Sequence, residues 1–239
     1  MEILYLAEAD STNARAKALA REGRPECVLV AGRQTSGRGR LDRSWDSPAG
    51  EGLWMTQLLR PRALPAEMAG GAVFVAALSM AEALSDFAGV RIKWPNDLAL
   101  NGKKLSGMLA EAGFENGMCA WLALGVGVNL AQVSFPPELP YATSLLLETG
   151  KRVTPDELLE KYLKRFGPWY EIWLNDGLAP VLEAIRPLSA TLGRRVLVGT
   201  REGEAVGFRE DGALMFREGD HVVPLVAGDV SVRGLYGYV

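Results

Sequence analysis

The chain holds one histidine and two cysteines among 239 residues. With His221 as the sole imidazole, neither a Ser-His-Asp triad nor a histidine-rich metal site has a set of residues to draw on. Cys27 and Cys119 sit far apart in apolar segments, the pattern of buried free thiols in a reducing, cytoplasmic compartment. No apolar run approaches the roughly 20 residues of a membrane span. The opening MEILYLAEADST lacks a basic segment leading into an apolar one, so no secretory signal is expected. Strong charge imbalance is missing too, and a formal net charge of −3 argues against nonspecific nucleic-acid binding as the main task. What remains is ordinary for a globular protein, 48% hydrophobic and 23% charged, long enough for one large domain or for a main domain with a small appendix.

Against this background residues 32–58, GRQTSGRGRLDRSWDSPAGEGLWMTQL, stand out. Arg33, Arg38, Arg40 and Arg43 crowd into one short segment, interleaved with Gly37 and Gly39. Glycine lets backbone approach a ligand closely, and arginine offers planar, permanently charged donors for phosphates and carboxylates. The spacing Gly32-x4-Gly37 resembles a P-loop but lacks its Lys-Ser/Thr pair, so that reading is rejected while the anion-binding physics is kept. Trp45, Pro48, Gly50 and Gly52 lead into an apolar run, so the loop hangs on a strand over 52–59.

Along the chain, 3–6 reads as a strand, and Asp10-Ser11-Thr12-Asn13 precedes an alanine-rich helix that Gly23 stops. Capping explains one of these polar side chains; three in a row leave a ligand role open. Residues 26–31 read as a strand, and 66–87 as one long, buried helix with a costly Gly70-Gly71 pair. Alternation over 90–94 predicts a strand broken by Pro95. Asn101-Gly102 predicts a hairpin whose return strand carries Lys103 and Lys104. Lysines after such a turn are usually solvated, yet Lys104 adjoins a glycine-containing apolar run that can lead its ammonium into a pocket. Gly125 and Gly127 within a strand over 118–130 mark close approach by a ligand or another backbone. Thr154-Pro155-Asp156-Glu157 opens a helix to about residue 173, which Pro168 is expected to interrupt or end. Short β-rich runs from about 194 predict a small β-barrel. The whole reads as α+β, a mixed β-sheet with helices packed on it, followed by the small barrel, divided as 1–187 and 188–239.

An anion cradle, a cation at Lys104 and the Lys93/Asn96/Asp97 group, all at strand ends or turns, suit activation of a carboxylate by ATP. Both reactants are anionic, and cations must neutralise them and the charge that builds on the α-phosphate. The chain resembles biotin–protein ligases over nearly its whole length. The resemblance rests on Ser11-Thr12-Asn13, on Gly37-Arg38-Gly39-Arg40 with Arg43, Trp45 and Ser47-Pro48, on residues 93–97 (KWPND), on 102–107 (GKKLSG) and on 125–129 (GVGVN), with 228–233 (GDVSVR) as a closing segment.

The resemblance implies a class II synthetase-like sheet, an SH3-like C-terminal barrel, and the roles of the residues. Ser11, Thr12 and Gln34 would bind the ureido ring of biotin, supported by Asn13. Gly37, Arg38, Gly39 and Arg40 would fold over biotin and the adenylate, beside Gly107. Lys104 and Arg40 would serve catalysis at the carboxylate and α-phosphate. Arg38, Arg40, Arg43, Trp45, Lys93, Asn96, Asn129 and Arg233 would line the ATP side. Asp97 would help hold Mg2+, although capping the turn after Pro95 explains it equally well. The implied partners are a biotin carboxyl carrier protein of acetyl-CoA carboxylase or a related carboxylase and a second copy in a homodimer. With the motif starting within a dozen residues of the first, no DNA-binding domain is expected. One departure is Asp42, where the family often has glycine; a carboxylate there would weaken the local positive potential or pair with one of the arginines around it. A lipoate ligase is the nearest alternative, but lipoate has no ureido group for the Ser-Thr-Asn/Gln34 set. A noncatalytic ligase-like binding protein is the other, and the intact Lys104 and arginine loop speak against it.

Overall fold

The computed structural model describes residues 1–41, 43–226, 232–234 and 237–239, with 232 and 233 as backbone alone. Among the described residues a seven-stranded mixed sheet runs in the order β1-β2-β3-β7-β6-β5-β4. Its strands are β1 (Glu2–Leu6), β2 (Cys27–Ala31), β3 (Gly52–Leu59), β4 (Arg91–Lys93), β5 (Asp97–Leu100), β6 (Lys103–Glu115) and β7 (Met118–Asn129). β1 and β2 pair in parallel, and the other pairs are antiparallel.

The sheet is covered on both faces, and β2 shows why its sequence is a continuous apolar run. Val28 and Val30 point into the main core, whereas Cys27 and Leu29 point into a second one beneath α1 (Thr12–Arg21). Ala16 and Ala20, four apart on α1, supply that helix's buried stripe. The opposite face carries α2 (Ala72–Leu84), which α4 (Pro155–Asp176), α5 (Ala179–Ile185) and, through Leu145, the short α3 (Leu145–Thr149) join in the main core. Both cysteines are free and buried, and burial pushes both thiols up.

Three expectations need correction. The helix over 66–87 is two elements: Ala66–Gly71 is a 3-10 segment and α2 begins after it. The glycine pair breaks the helix where Trp173 of α4 presses in, since a Cβ at Gly71 would lie 2.5 Å from its Nε1. Second, Ala66–Leu84 is long and apolar enough to cross a membrane, but 72% of that window is buried inside the fold, which makes it a core element. Third, Pro168 does not end α4, which continues to Asp176. Proline removes one donor to the carbonyl four residues back, at a cost of about 3 kcal/mol. Burial of Phe166 and Trp173, bridged by Tyr170 in a run of ring contacts, outweighs it.

Asn101 and Gly102 both take positive φ, as the hairpin between β5 and β6 requires. After Arg186–Leu188 the chain enters a second, antiparallel sheet of order β11-β10-β9-β8-β12, built from β8 (Arg195–Val198), β9 (Arg201–Phe208), β10 (Leu214–Glu218), β11 (His221–Leu225) and β12 (Val232–Gly234). The two sheets share one core, and Trp94 ties them by donating its indole N–H to the carbonyl of Gly212 at 2.9 Å.

Candidate active site

Gly125 and Gly127 lie on one face of β7, and each makes room for one side chain. A Cβ at Gly125 would stand 2.2 Å from Asn13 Oδ1, and one at Gly127 would stand 2.5 Å from Trp45 Nε1. Two residues along a strand separate these positions by about 7 Å. A cavity of about 600 Å3 opens over them, within the range of small-molecule sites.

The Asn13 end is neutral and polar. Ser11 is the N-cap of α1, its hydroxyl accepting from Ala14 N, while Thr12 and Asn13 turn elsewhere. Gln34 is held from both sides: its Oε1 accepts from Thr12 N at 2.8 Å, and its Nε2 donates to Ser47 Oγ at 2.8 Å. Asn13 Nδ2 donates to Glu111 Oε2 at 3.0 Å and to the carbonyl of Leu109 at 3.3 Å. Behind the wall, the buried Thr56 hydroxyl lies 2.6 Å from Asn13 Oδ1 and 2.8 Å from Thr12 Oγ1. Lys17 makes a short ion pair with Glu111. Burial pulls the Glu111 carboxyl up, but hydrogen bonds from Lys17 and Asn13 and the charges of Lys17 and Arg38 outweigh it, leaving the group below its ordinary value.

The Trp45 end is cationic. The arginine loop folds as a tight turn: Gly39 N donates to the carbonyl of Arg43 at 2.7 Å and Trp45 N to that of Gly37 at 2.9 Å. Arg40 reaches across to donate to Asn96 Oδ1 at 3.0 Å, and Asn96 Nδ2 donates to the carbonyl of Met108 at 2.9 Å. Burial lowers the Arg40 pKa, the nearby Asp97 charge raises it and that of Arg43 lowers it, with a net fall. Lys104 extends into the cavity, its Nζ 2.9 Å from Asp97 Oδ1 and 5.2 Å from the centre of a Trp45 ring. That buried oxygen has no aligned hydrogen bond, so the pair is chiefly Coulombic. Gly107 lets the three groups meet, because a Cβ there would press on Trp45 at 3.1 Å, Asp97 at 3.3 Å and Lys104 at 3.4 Å. The loop before α3 clamps the Lys104 backbone, with Lys104 N donating to the carbonyl of Tyr141 at 2.6 Å and Thr143 N to that of Lys104 at 2.9 Å.

Ser11, Thr12, Asn13, Gln34, Arg38, Gly39, Arg40, Arg43, Trp45, Lys93, Asn96, Asp97, Lys104, Gly107 and Asn129 all line this cavity. Gly37 does not: a Cβ there would sit 2.3 Å from the carbonyl oxygen of Trp45, so this glycine serves the turn of the loop. Asn129 has its amide engaged at both ends, by the Thr143 carbonyl and by Gln132. Asp42, the Arg233 side chain and most of the closing segment 228–233 lie outside the described residues.

Sequence reasoning missed Tyr141 and Tyr238. Tyr238 enters the cavity from beyond the second sheet, donates its hydroxyl to Asp97 Oδ2, covers Lys93 Nζ at 3.8 Å from the ring centre, and stacks on Tyr141. Burial, with the Asp97 charge second, pushes the phenol well above its ordinary value, so it stays a donor. No local pattern announces such a residue; only the order of the two sheets brings it here. Thr56, Glu111 and Lys17 were missed because each sits in an unremarkable apolar or alanine-rich stretch.

No group of three or more His, Cys, Asp or Glu is placed to hold a metal among the described residues. Asp97, the carboxylate beside Lys104, fits a magnesium ion carried mainly by phosphate oxygens and water, the usual habit of that ion at nucleotide sites.

A family model described as the biotin/lipoate A/B protein ligase family matches residues 5–129. A biotin–[acetyl-CoA-carboxylase] ligase of Paracoccus denitrificans is 36% identical, covering 92% of this chain and 96% of that protein. The bifunctional ligase/repressor BirA of Bacillus subtilis is 31% identical, covering 96% of this chain and 74% of that protein. The solved structure of the Aquifex aeolicus biotin protein ligase in complex with biotin and ATP superposes with a TM-score of 0.83 at 32% identity, covering 98% of this chain and 99% of that one.

Proposed function

The chain belongs to the biotin/lipoate A/B protein ligase family and acts as a biotin–[acetyl-CoA-carboxylase] ligase, and we propose that both of its half-reactions run in the cavity over Gly125 and Gly127. The family alone spans two carboxylate cofactors. The observation that carries the choice of biotin is the polar cluster of Thr12, Gln34 and Asn13 at one end of a cavity whose other end holds Lys104 and Arg40. Such a cavity suits a molecule with a neutral hydrogen-bonding head and an acidic tail, and a dithiolane head would leave the cluster unmatched.

In the first half-reaction a carboxylate oxygen of biotin attacks the α-phosphorus of ATP, the bond to the β,γ-unit breaks, and biotinyl-5′-AMP and pyrophosphate result. Lys104 and Arg40 neutralise the carboxylate and the charge that grows on the α-phosphate, and Arg38 and Arg43 add to the field. Trp45 offers a stacking face beside the nucleotide, with Lys93, Asn96 and Asn129 around it. Mg2+ would neutralise phosphate charge, with Asp97 as the protein ligand within reach. In the second half-reaction the ε-amine of one lysine on a carboxyl carrier domain attacks the anhydride carbonyl. The C–O bond to phosphate breaks, AMP leaves, and the amine gives up a proton. No side chain of this protein becomes a covalent intermediate; holding the reactants in line supplies several kcal/mol, up to about 7–11 in favourable cases.

Residues 1–187 form the catalytic unit in this reading and 188–239 the accessory one, with Arg233 reaching toward the nucleotide. The buried free thiols suit a cytoplasmic protein. We assign a homodimer through the β1 edge, because the opposite edge, β4, is already bridged by Ser189. Light scattering that finds a monomer at every concentration would remove that assignment.

Pyrophosphate release from Mg-ATP with biotin, lipoate or neither tests the central reading. Release with biotin alone is expected. Release with lipoate alone would move the substrate, and silence with both from a folded protein would remove the catalytic reading.

A further inference from the structure

Lys103 and Lys104 are adjacent, and only Lys104 lines the cavity. Gly107, on the same strand, lines it too. Strict alternation along β6 from Gly107 would bring residues 105 and 103 to that face, not 104. The phase changes because β6 carries a bulge. Leu98 pairs with Ser106 but its neighbour Ala99 pairs with Lys104, so Leu105 is an extra residue, and its side chain lies in the main core. The bulge turns Lys103 to the other face of the sheet, where its ammonium meets α3. Backbone hydrogen bonds do not read side chains, so the bonds that clamp residue 104 accept either phase.

On that other face the Glu148 carboxylate gathers three donors. Its Oε1 accepts from Thr143 Oγ1 at 2.7 Å and from Lys103 Nζ at 3.0 Å, and its Oε2 accepts from Asn101 Nδ2 at 2.8 Å. Bonds from Thr143 and Asn101, with Lys103 after them, hold the carboxyl below its ordinary value against the pull of burial. The three partners frame Lys104. Asn101 belongs to the turn that sets Lys103 opposite Leu100, Lys103 is the competing amine, and Thr143 N donates to the Lys104 carbonyl. We propose that Glu148 is a positioning residue: by taking the Lys103 ammonium and the Asn101 amide on the α3 side of the sheet, it holds the bulged phase of β6 that points Lys104, and not Lys103, into the cavity. This rests on the reading of Lys104 as the cation at the carboxylate and the α-phosphate.

The test uses the whole chain and single-turnover adenylate formation at saturating biotin and Mg-ATP. In Glu148→Ala the turn at Asn101 remains, so the phase is loosened and not lost. The saturated rate is expected to fall about tenfold, less than the roughly 100-fold that a displacement of about 1 Å can cost, while the half-saturating concentrations of both substrates stay within about twofold. Lys103→Ala, at a half-exposed side chain, is expected to slow the step about threefold with an unchanged melt, and the double variant to be no slower than Glu148→Ala alone. A merely structural role would lower the melting temperature of Glu148→Ala and leave the saturated rate of the folded protein alone. A folded Glu148→Ala enzyme within about twofold of the wild-type rate, or a double variant whose losses multiply, would overturn the proposal. If Glu148→Ala does not fold, Lys103→Ala decides it: a fall of more than about twofold supports the tie, and a smaller one overturns it. Lys104→Ala separates the two layers. A wild-type rate there overturns the reading of Lys104 itself, whereas a silent Lys104→Ala beside full activity in Lys103→Ala and Glu148→Ala overturns the tie alone.

Discussion

The two glycines of β7 allow a test in which one methyl group is placed on each side of the site. Neither Gly125 nor Gly127 has positive φ, so alanine is tolerated by the backbone at both, and the added Cβ is the whole perturbation. At Gly127 that Cβ would stand 2.5 and 2.6 Å from Nε1 and Cε2 of Trp45, where normal contact is about 3.5 Å or more. The indole must retreat by about 1 Å. It is carried on the arginine loop, whose turn bonds at Gly39 and Gly37 move with it. Overpacking of this size costs about 1–3 kcal/mol, which is roughly 5- to 150-fold in an equilibrium constant. If Trp45 is the nucleotide wall, Gly127→Ala raises the KM for ATP by that factor and leaves the KM for biotin within a few-fold. Gly125→Ala strikes Asn13 Oδ1 at 2.2 Å and should give the reverse pattern. The assay is pyrophosphate release with one substrate varied at saturation of the other, on protein whose thermal melt remains cooperative. Both variants raising both KM values equally would refute the division of the cavity into two ends.

Lys104→Ala should nearly abolish adenylate formation in single-turnover assays with little change in melting temperature, since the side chain is partly exposed and its pairing with Asp97 is chiefly Coulombic; wild-type turnover would remove its assigned role. Tyr238→Phe keeps the ring over Lys93 but frees Asp97 Oδ2, so the magnesium concentration giving half-maximal rate should fall by about threefold, a modest share of a charge-assisted hydrogen bond; an increased magnesium requirement would contradict the placing of the ion at Asp97. Glu111 has a lowered pKa in the fold, so its stabilisation is present above the unfolded value and is lost as pH falls through the folded one. The melting-temperature gap between wild type and Glu111→Gln should therefore be constant near neutrality and close below about pH 4. A gap that persists into strong acid would show that the carboxylate is not what stabilises.

Features written in local chemistry were legible in the sequence. The glycines of β7 announced close approach, Asn101-Gly102 announced the turn that delivers Lys104, and the arginine–glycine run announced an anion loop. Each rests on a backbone or charge property that a residue carries wherever it is placed. The errors came where tertiary burial overrode propensity. Pro168 is a helix breaker by itself, yet it lies in a helix held by Phe166 and Trp173. Gly70-Gly71 is expected inside one helix, costly in propensity but open to close packing; the close packing is there, by the indole of Trp173 against Gly71, and the pair is a boundary between two elements. Tyr238 and Thr56 were illegible for another reason. Their importance lies wholly in partners 141 and 43 residues away, and no periodicity encodes such a meeting.

The resting contacts at the cationic end bear on how the site would work. Lys104 faces Asp97, and Asp97 also receives the hydroxyl of Tyr238, whose ring covers Lys93. Two lysines thus line one cavity, Lys104 against a carboxylate and Lys93 against an aromatic face. Like charges in one cavity repel, and a carboxylate and an aromatic face beside them offset part of that repulsion. A substrate that brings its own negative charge supplies the same compensation. Asp97 would then be released from Lys104 to face a phosphate-borne cation, with its other oxygen still accepting from Tyr238. The segment beyond the second sheet therefore contacts the cavity through the same carboxylate that would help hold Mg2+ in the proposed reaction.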